Sequence, residues 1–242
     1  TGELVVTRCV VNEVGPESAD VAIALIAQLA RSALRIEAVR WLIDGSGGVS
    51  GVDRLRGGLN CDQLRELSVE YGYGPCTGVE AVVTACPNLH RVELTGACHT
   101  DLAEVFRAVG GLVHLRYLDV HVDQTSFVQL QELCLGKLST LQVLKLTYID
   151  GVGPPNWGGF TLAGLVEFEL FSPFLALSFP PVLASGQSLQ SLKLGGVKEL
   201  SEGDVEILAQ LPKLRYLLCR RDGAKFPGLG GRMRQSAAVQ VL

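Results

Sequence analysis

The sequence predicts an α/β solenoid, with a curved parallel sheet on its concave side and helices, 3₁₀ turns and loops on its convex side. Three observations predict it. The pattern Leu-x-x-(Leu/Val/Phe)-x-(Leu/Val/Cys) occurs seven times, starting at Leu64, Leu89, Leu115, Leu141, Leu165, Leu189 and Leu214. Successive starts lie 24–26 residues apart, a period that marks stacked repeats. Apolar positions 4 and 6 of each copy alternate with mostly polar neighbours, as in a half-buried strand.

The elements follow in chain order. A ninth, poorer copy is placed at residues 4–6, and a helix over 21–34 with Asp20 as its cap. An eighth copy starts at Ile36, with Val39 and Trp41 at positions 4 and 6. The glycine-rich stretch 44–58 reads as a loop. Parallel strands need long returns outside the sheet. Apolar spacing makes the returns helical at 79–85, 102–109, 129–135 and 205–211, with Asp101 and Ser201 as caps and Asp204 as a weak capping-box partner. Residues 151–159 (with Pro154 and Pro155) and 179–181 cannot be regular helices, so 3₁₀ turns or extended segments are expected there. The whole reads as a single repeat domain, 1–242. Its clear copies span 64–219, a further copy 36–63, an N-terminal repeat or cap 1–35, and a basic segment 213–234.

The register of these copies resembles the leucine-rich repeat family. The segment from Cys86-Pro-Asn-Leu89 to Leu94-Thr-Gly-Ala-Cys98 is similar to cysteine-containing repeats of F-box adaptors. Leu112-Val-His-Leu115-Arg-Tyr-Leu118 and Gly136-Lys-Leu138-Ser-Thr-Leu141 are similar to repeats of plant immune receptors. The family usually has Asn or Cys at position 9. Here Gly72, Ala97, Asp123, Ile149, Pro173, Val197 and Asp222 stand there instead. The resemblance implies a non-enzymatic recognition module, the sensing part of a larger protein of F-box-like or receptor-like kind.

Composition sets the class. Apolar residues make up 48% and charged residues 19%, too apolar for a disordered chain. No apolar run approaches the length of a membrane span. Seven scattered cysteines and the absence of Asn-x-Ser/Thr point to a reducing, cytoplasmic setting. The chain begins at Thr1 without Met, so a processed protein or a fragment is expected. Net charge is −4, but Lys213 to Arg234 holds seven bases against one acid, Asp222.

The expected contact surface is the concave face, formed by positions 3, 5 and 7. A protein or peptide partner would meet Glu66, Glu70, Arg91, Glu93, Tyr117, Asp119, His121, Lys145, Glu167, Glu169, Phe171, Lys193 and Tyr216 there. Aromatics among charges are the usual makings of a binding hot spot. Asp119 and His121, two residues apart on one strand, could form an acid–base pair, but no nucleophile motif accompanies them, so no enzyme is expected. Cys76, Cys86 and Cys98-His99 are too widely spaced for a zinc knuckle. No phosphate-binding motif occurs, so no cofactor or metal is expected. No membrane partner is expected either. The basic segment lacks the interleaved aromatics of a nucleic-acid surface. A structural subunit, using its convex side and basic end, is the competing reading.

Overall fold

The computed structural model describes residues 5–6, 9–13, 24, 28, 35–43, 61–71, 78–96, 102–149, 161, 163–172, 185–196 and 202–220. The expected loop 44–58, the segments 151–159 and 179–181, Asp101, Ser201 and the basic residues beyond Arg220 lie outside these, as does all but two positions of the 21–34 helix.

The chain divides into two compact units. The first comprises Thr1–His121 with Glu132–Thr140, the second Val122–Gln131 with Leu141–Leu242. The first holds strands β1 (Val5–Val6), β2 (Cys9–Glu13), β3 (Arg35–Ile36), β4 (Ala38–Ile43), β5 (Glu66–Tyr71), β6 (Arg91–Gly96) and nearly all of β7 (Tyr117–Val122). Between them lie helices α1 (Val79–Ala85) and α2 (Ala103–Val109). The second holds β8 (Val143–Tyr148), β9 (Glu167–Phe171), β10 (Ser191–Gly195) and β11 (Tyr216–Arg220), with α4 (Glu202–Ala209). Most of α3 (Gln124–Leu133) also belongs to the second unit. A 3₁₀ turn, Leu135–Lys137, follows α3.

Strands pair in parallel, in the order β2-β4-β5-β6-β7 in the first unit and β8-β9-β10-β11 in the second. Equal positions of successive copies face each other. Val39, Leu67, Val92 and Leu118 pair at position 4. Leu144, Phe168, Leu192 and Leu217 do so in the second unit. All eight are at most 1% exposed. Each unit is therefore held by a row of apolar side chains withdrawn from water, at roughly 1.5–3 kcal/mol for a fully buried large residue.

The helices bury the face that their spacing predicts: Val79, Val82 and Val83 in α1, and Val105, Phe106 and Val109 in α2. Two helices begin earlier than apolar spacing indicates. α3 starts at Gln124 rather than 129 because Asp123 caps it, Oδ1 accepting the Ser126 N–H at 2.7 Å. α4 spans Glu202–Ala209 rather than 205–211, since its first residues carry no apolar signal: Glu202 and Gly203 are exposed and the buried member, Asp204, is a carboxylate. At the N-terminus the copy is shifted. Strand β2 supplies the rung beside β4, with Cys9 opposite Val39 and Val11 opposite Trp41. Val6 pairs with Ile36, so this copy starts at Val6 and not at Leu4. Apolar residues on both sides of Thr7-Arg8, at 4–6 and at 9–11, allow both registers, and pairing selects one.

Candidate functional site

Odd positions of the strands form the polar face. Glu66 and Phe171 are exposed, and Glu70, Arg91, Glu93, Tyr117, Asp119, His121, Lys145, Glu167, Glu169, Lys193 and Tyr216 are half-buried. Leu218, at the same kind of position, is buried.

In the first unit most of these charges are already partnered. Arg40 pairs with Glu70 at 2.9 Å across one strand boundary. Arg91 donates from Nε to Glu93 at 2.8 Å, and its guanidinium carbon lies 3.6 Å from the centre of the Tyr117 ring, a cation–π stack. The Tyr117 hydroxyl donates to Asp119 at 3.4 Å. Burial opposes ionisation of Glu93, but the Ser68 hydroxyl and Arg91 prevail and hold its carboxyl below the usual range. Ala38, Arg40, Glu66, Ser68, Arg91 and Glu93 line a shallow depression with room for little more than a water molecule.

His121 sits apart from Asp119 in its bonding. Its Nδ1 accepts the Gly96 N–H at 2.9 Å, which requires an unprotonated nitrogen there. Burial lowers its pKa, against the upward pull of Glu70. Asp119 and His121, two apart on one strand, thus bond to different partners.

In the second unit a cluster of two lysines and two glutamates fills the face. Lys193 meets Glu167 at 2.6 Å and Glu169 at 3.6 Å, and Lys145 meets Glu169 at 3.3 Å. The Glu167 bond, ahead of other influences, raises the Lys193 pKa. Beside the cluster Phe171 is 47% exposed. Its ring lies against buried Gly195 on the next strand, where any Cβ would overlap it. Glycine there seats an aromatic ring across the sheet. Tyr216 stands opposite Ser191 at the edge of this group.

Each unit therefore gathers its own share of the expected residues. Two contributors escaped the sequence reading. Arg40 belongs to the copy at Ile36 and shares position 5 with Ser68. Gly195 shares position 7 with Phe171, and small residues beside aromatics at one repeat position are the signal that could have found it. Among the described residues no three of His, Cys, Asp and Glu converge in metal-binding geometry, and no helix is long and apolar enough to cross a membrane. Cys76, Cys98 and His99 lie outside the described residues.

No family model matches the chain. The structure superposes on a chain of the Toll–Spätzle complex of Drosophila with a TM-score of 0.60 at 12% identity, covering 90% of this chain and 27% of that one. The fold is a leucine-rich repeat solenoid. Among curated proteins the solenoid is 29% identical over 182 residues to human tubulin-specific chaperone E, and 28% identical over the same length to its Pongo abelii counterpart. Each match covers 69% of this chain and 32% of the relative, so the chain spans about a third of those proteins. The finer likeness to F-box adaptors or plant receptors gains no support from these relatives.

Proposed function

We propose that this solenoid is the non-enzymatic recognition segment of a larger protein and that its partner is a tubulin subunit, held on the polar sheet face. The similarity to tubulin-specific chaperone E over 182 residues is the observation that carries the choice of partner. The face supplies the means. Its charges are fixed in pairs before any partner arrives, which lowers the ordering cost of association. Phe171 offers an apolar anchor and Tyr117 a stacked ring, both rigid. Within the first unit Glu66 and Asp119, and within the second the Lys145–Lys193 cluster, would set orientation. An F-box-type adaptor or an immune receptor would use the same face for a different protein. The described cysteines Cys9, Cys61, Cys86, Cys134 and Cys219 are all free thiols, which supports a cytoplasmic setting.

Surface-immobilised chain titrated with soluble tubulin dimers tests the reading. Wild type should bind. The variant Glu93→Lys, Asp119→Lys, Glu169→Lys should bind at least about tenfold more weakly, a loss of roughly 1.4 kcal/mol. No binding by wild type overturns the choice of partner. Equal binding by a folded variant overturns the choice of face.

A further inference from the structure

Outside the polar face lies a second charged group. Arg65, His90 and Arg116 occupy position 2 of three successive copies, immediately before β5, β6 and β7. The backbone stacks them rung on rung: the His90 N–H donates to the Arg65 carbonyl at 2.8 Å, and the Arg116 N–H to the His90 carbonyl at 2.9 Å. His114 joins them, its ring edge-on to that of His90 with centroids 6.1 Å apart. His90, His114 and Arg116 are exposed and Arg65 is half-buried.

We infer that this rim, Arg65–His90–His114–Arg116, is a binding site for an acidic peptide segment of a partner protein. Its charge balance differs from that of the polar face. There Arg40, Arg91, Lys145 and Lys193 each have a carboxylate. On the rim, no carboxylate among the described residues forms an ion pair with any of the four. Arg65 instead donates to the Asn88 carbonyl at 3.3 Å. Glu37 stands one rung before Arg65, and Asp62 lies in the preceding turn. Neither is among the charges acting on His90, which are Arg65, Arg116 and His114, all of one sign. Burial first, and then these neighbours, lower the His90 pKa. With no carboxylate paired to them among the described residues, the Arg65 and Arg116 guanidiniums and the imidazoles beside them give this rim a local positive potential that draws in anions.

Carboxylates suit the geometry. Guanidinium groups bind them in bidentate fashion, and a neutral imidazole still donates one N–H. An extended peptide advances roughly 3.3 Å per residue, so a run of acids a few residues long spans the three rungs, spaced at ~4.8 Å, on which these groups stand. A nucleic acid fits less well. No Trp, Phe or Tyr stands at position 2 of these three copies for bases to stack on, and Tyr117, the next residue along, already stacks one face of its ring on Arg91.

The inference does not depend on the polar-face reading, and its test uses no tubulin. A fluorescent octaglutamate peptide is titrated into the purified 242-residue chain, read by anisotropy. Binding should tighten several-fold as pH falls from about 7.5 to about 6, because bound carboxylates favour the protonated imidazole of His90. NMR of the imidazole signals should show the His90 pKa rising when peptide is present. Arg116→Gln with His90→Ala should weaken binding about tenfold, while Arg215→Gln, at the same position of a distant copy, leaves it unchanged. All three replaced side chains are exposed, and far-UV circular dichroism checks the fold. No binding by wild type, equal binding by the folded double variant, an unmoved His90 pKa, or tighter binding of an eight-residue oligouridine would each overturn the inference.

Discussion

Gly96 and His121 depend on each other at a single hydrogen bond. Gly96 has φ of 107°, a conformation that side chains rarely adopt, and a Cβ there would overlap the backbone carbonyl of Tyr71. Neither strand can yield without breaking its ladder. Gly96→Ala should therefore cost about 2–3 kcal/mol, read as a lower urea midpoint. His121 carries the pH dependence of this bond. Its folded pKa is lowered, so the unfolded chain takes up the proton first, near about pH 6.5. Its contribution to stability is present above that value and is lost as pH falls towards the folded pKa. Urea midpoints at about pH 7.5 and about pH 5.5 should differ less in His121→Gln than in wild type. Neither residue could be assigned its role from its own copy. His121 is position 7 of one repeat and Gly96 position 8 of the one before, so the bond exists only once register is fixed.

Elements were legible where a single periodic signal governs them. Helix α1 falls on the predicted 79–85, because Val79, Val82 and Val83 make a three-and-four spacing that nothing interrupts. The start of α3 was not legible from apolar spacing, since its first turn, Gln124 and Thr125, is exposed and polar. The cue was Asp123, which stands where the family has Asn or Cys and bonds backbone much as those residues do, though within its own coil. Asp123→Ala should destabilise the second unit by about 1 kcal/mol, and Asp123→Asn by much less. Thermal unfolding of both variants tests this, and equal losses would show that the cap is idle. The charge pairs of the polar face were illegible for a different reason. Which lysine meets which glutamate depends on diagonal contacts, such as Lys193 to Glu167, that one-dimensional spacing does not encode. Arg65, His90 and Arg116 are visible at position 2 of three consecutive copies, but position 2 lies outside the alternation that defines the two faces of the strand, so spacing alone assigns them no role.

At the scale of the whole chain, the period carried most of the information about architecture. Leucines that recur every 24–26 residues can all be buried only if successive copies stack, and stacked rungs leave one polar face open whatever its residues are. Stability in such arrays is close to a sum of nearest-neighbour terms. Within the first unit, Val92→Ala and Leu118→Ala remove side chains in direct register and should show a coupling of about 0.5–3 kcal/mol in a double-mutant cycle. Val39 lies three rungs from Leu118, about 14 Å at sheet spacing. Val39→Ala and Leu118→Ala should therefore add to within about 0.5 kcal/mol, and strong coupling between them would contradict nearest-neighbour stacking. The charged pairs should matter little here. Side chains 19–46% exposed contribute about 0–1 kcal/mol each, so their placement bears on recognition far more than on folding.

The seating of Phe171 on Gly195 has a consequence for how this surface can change over generations. The two positions are tied in one direction: a side chain at the second displaces the ring from its seat at the first, while the glycine accepts loss of the aromatic. Lineages that keep the aromatic must keep the glycine, and those that lose the aromatic are released to lose the glycine. A set of orthologous sequences sorted by that pair would separate descendants that still use the anchor from those that have given it up.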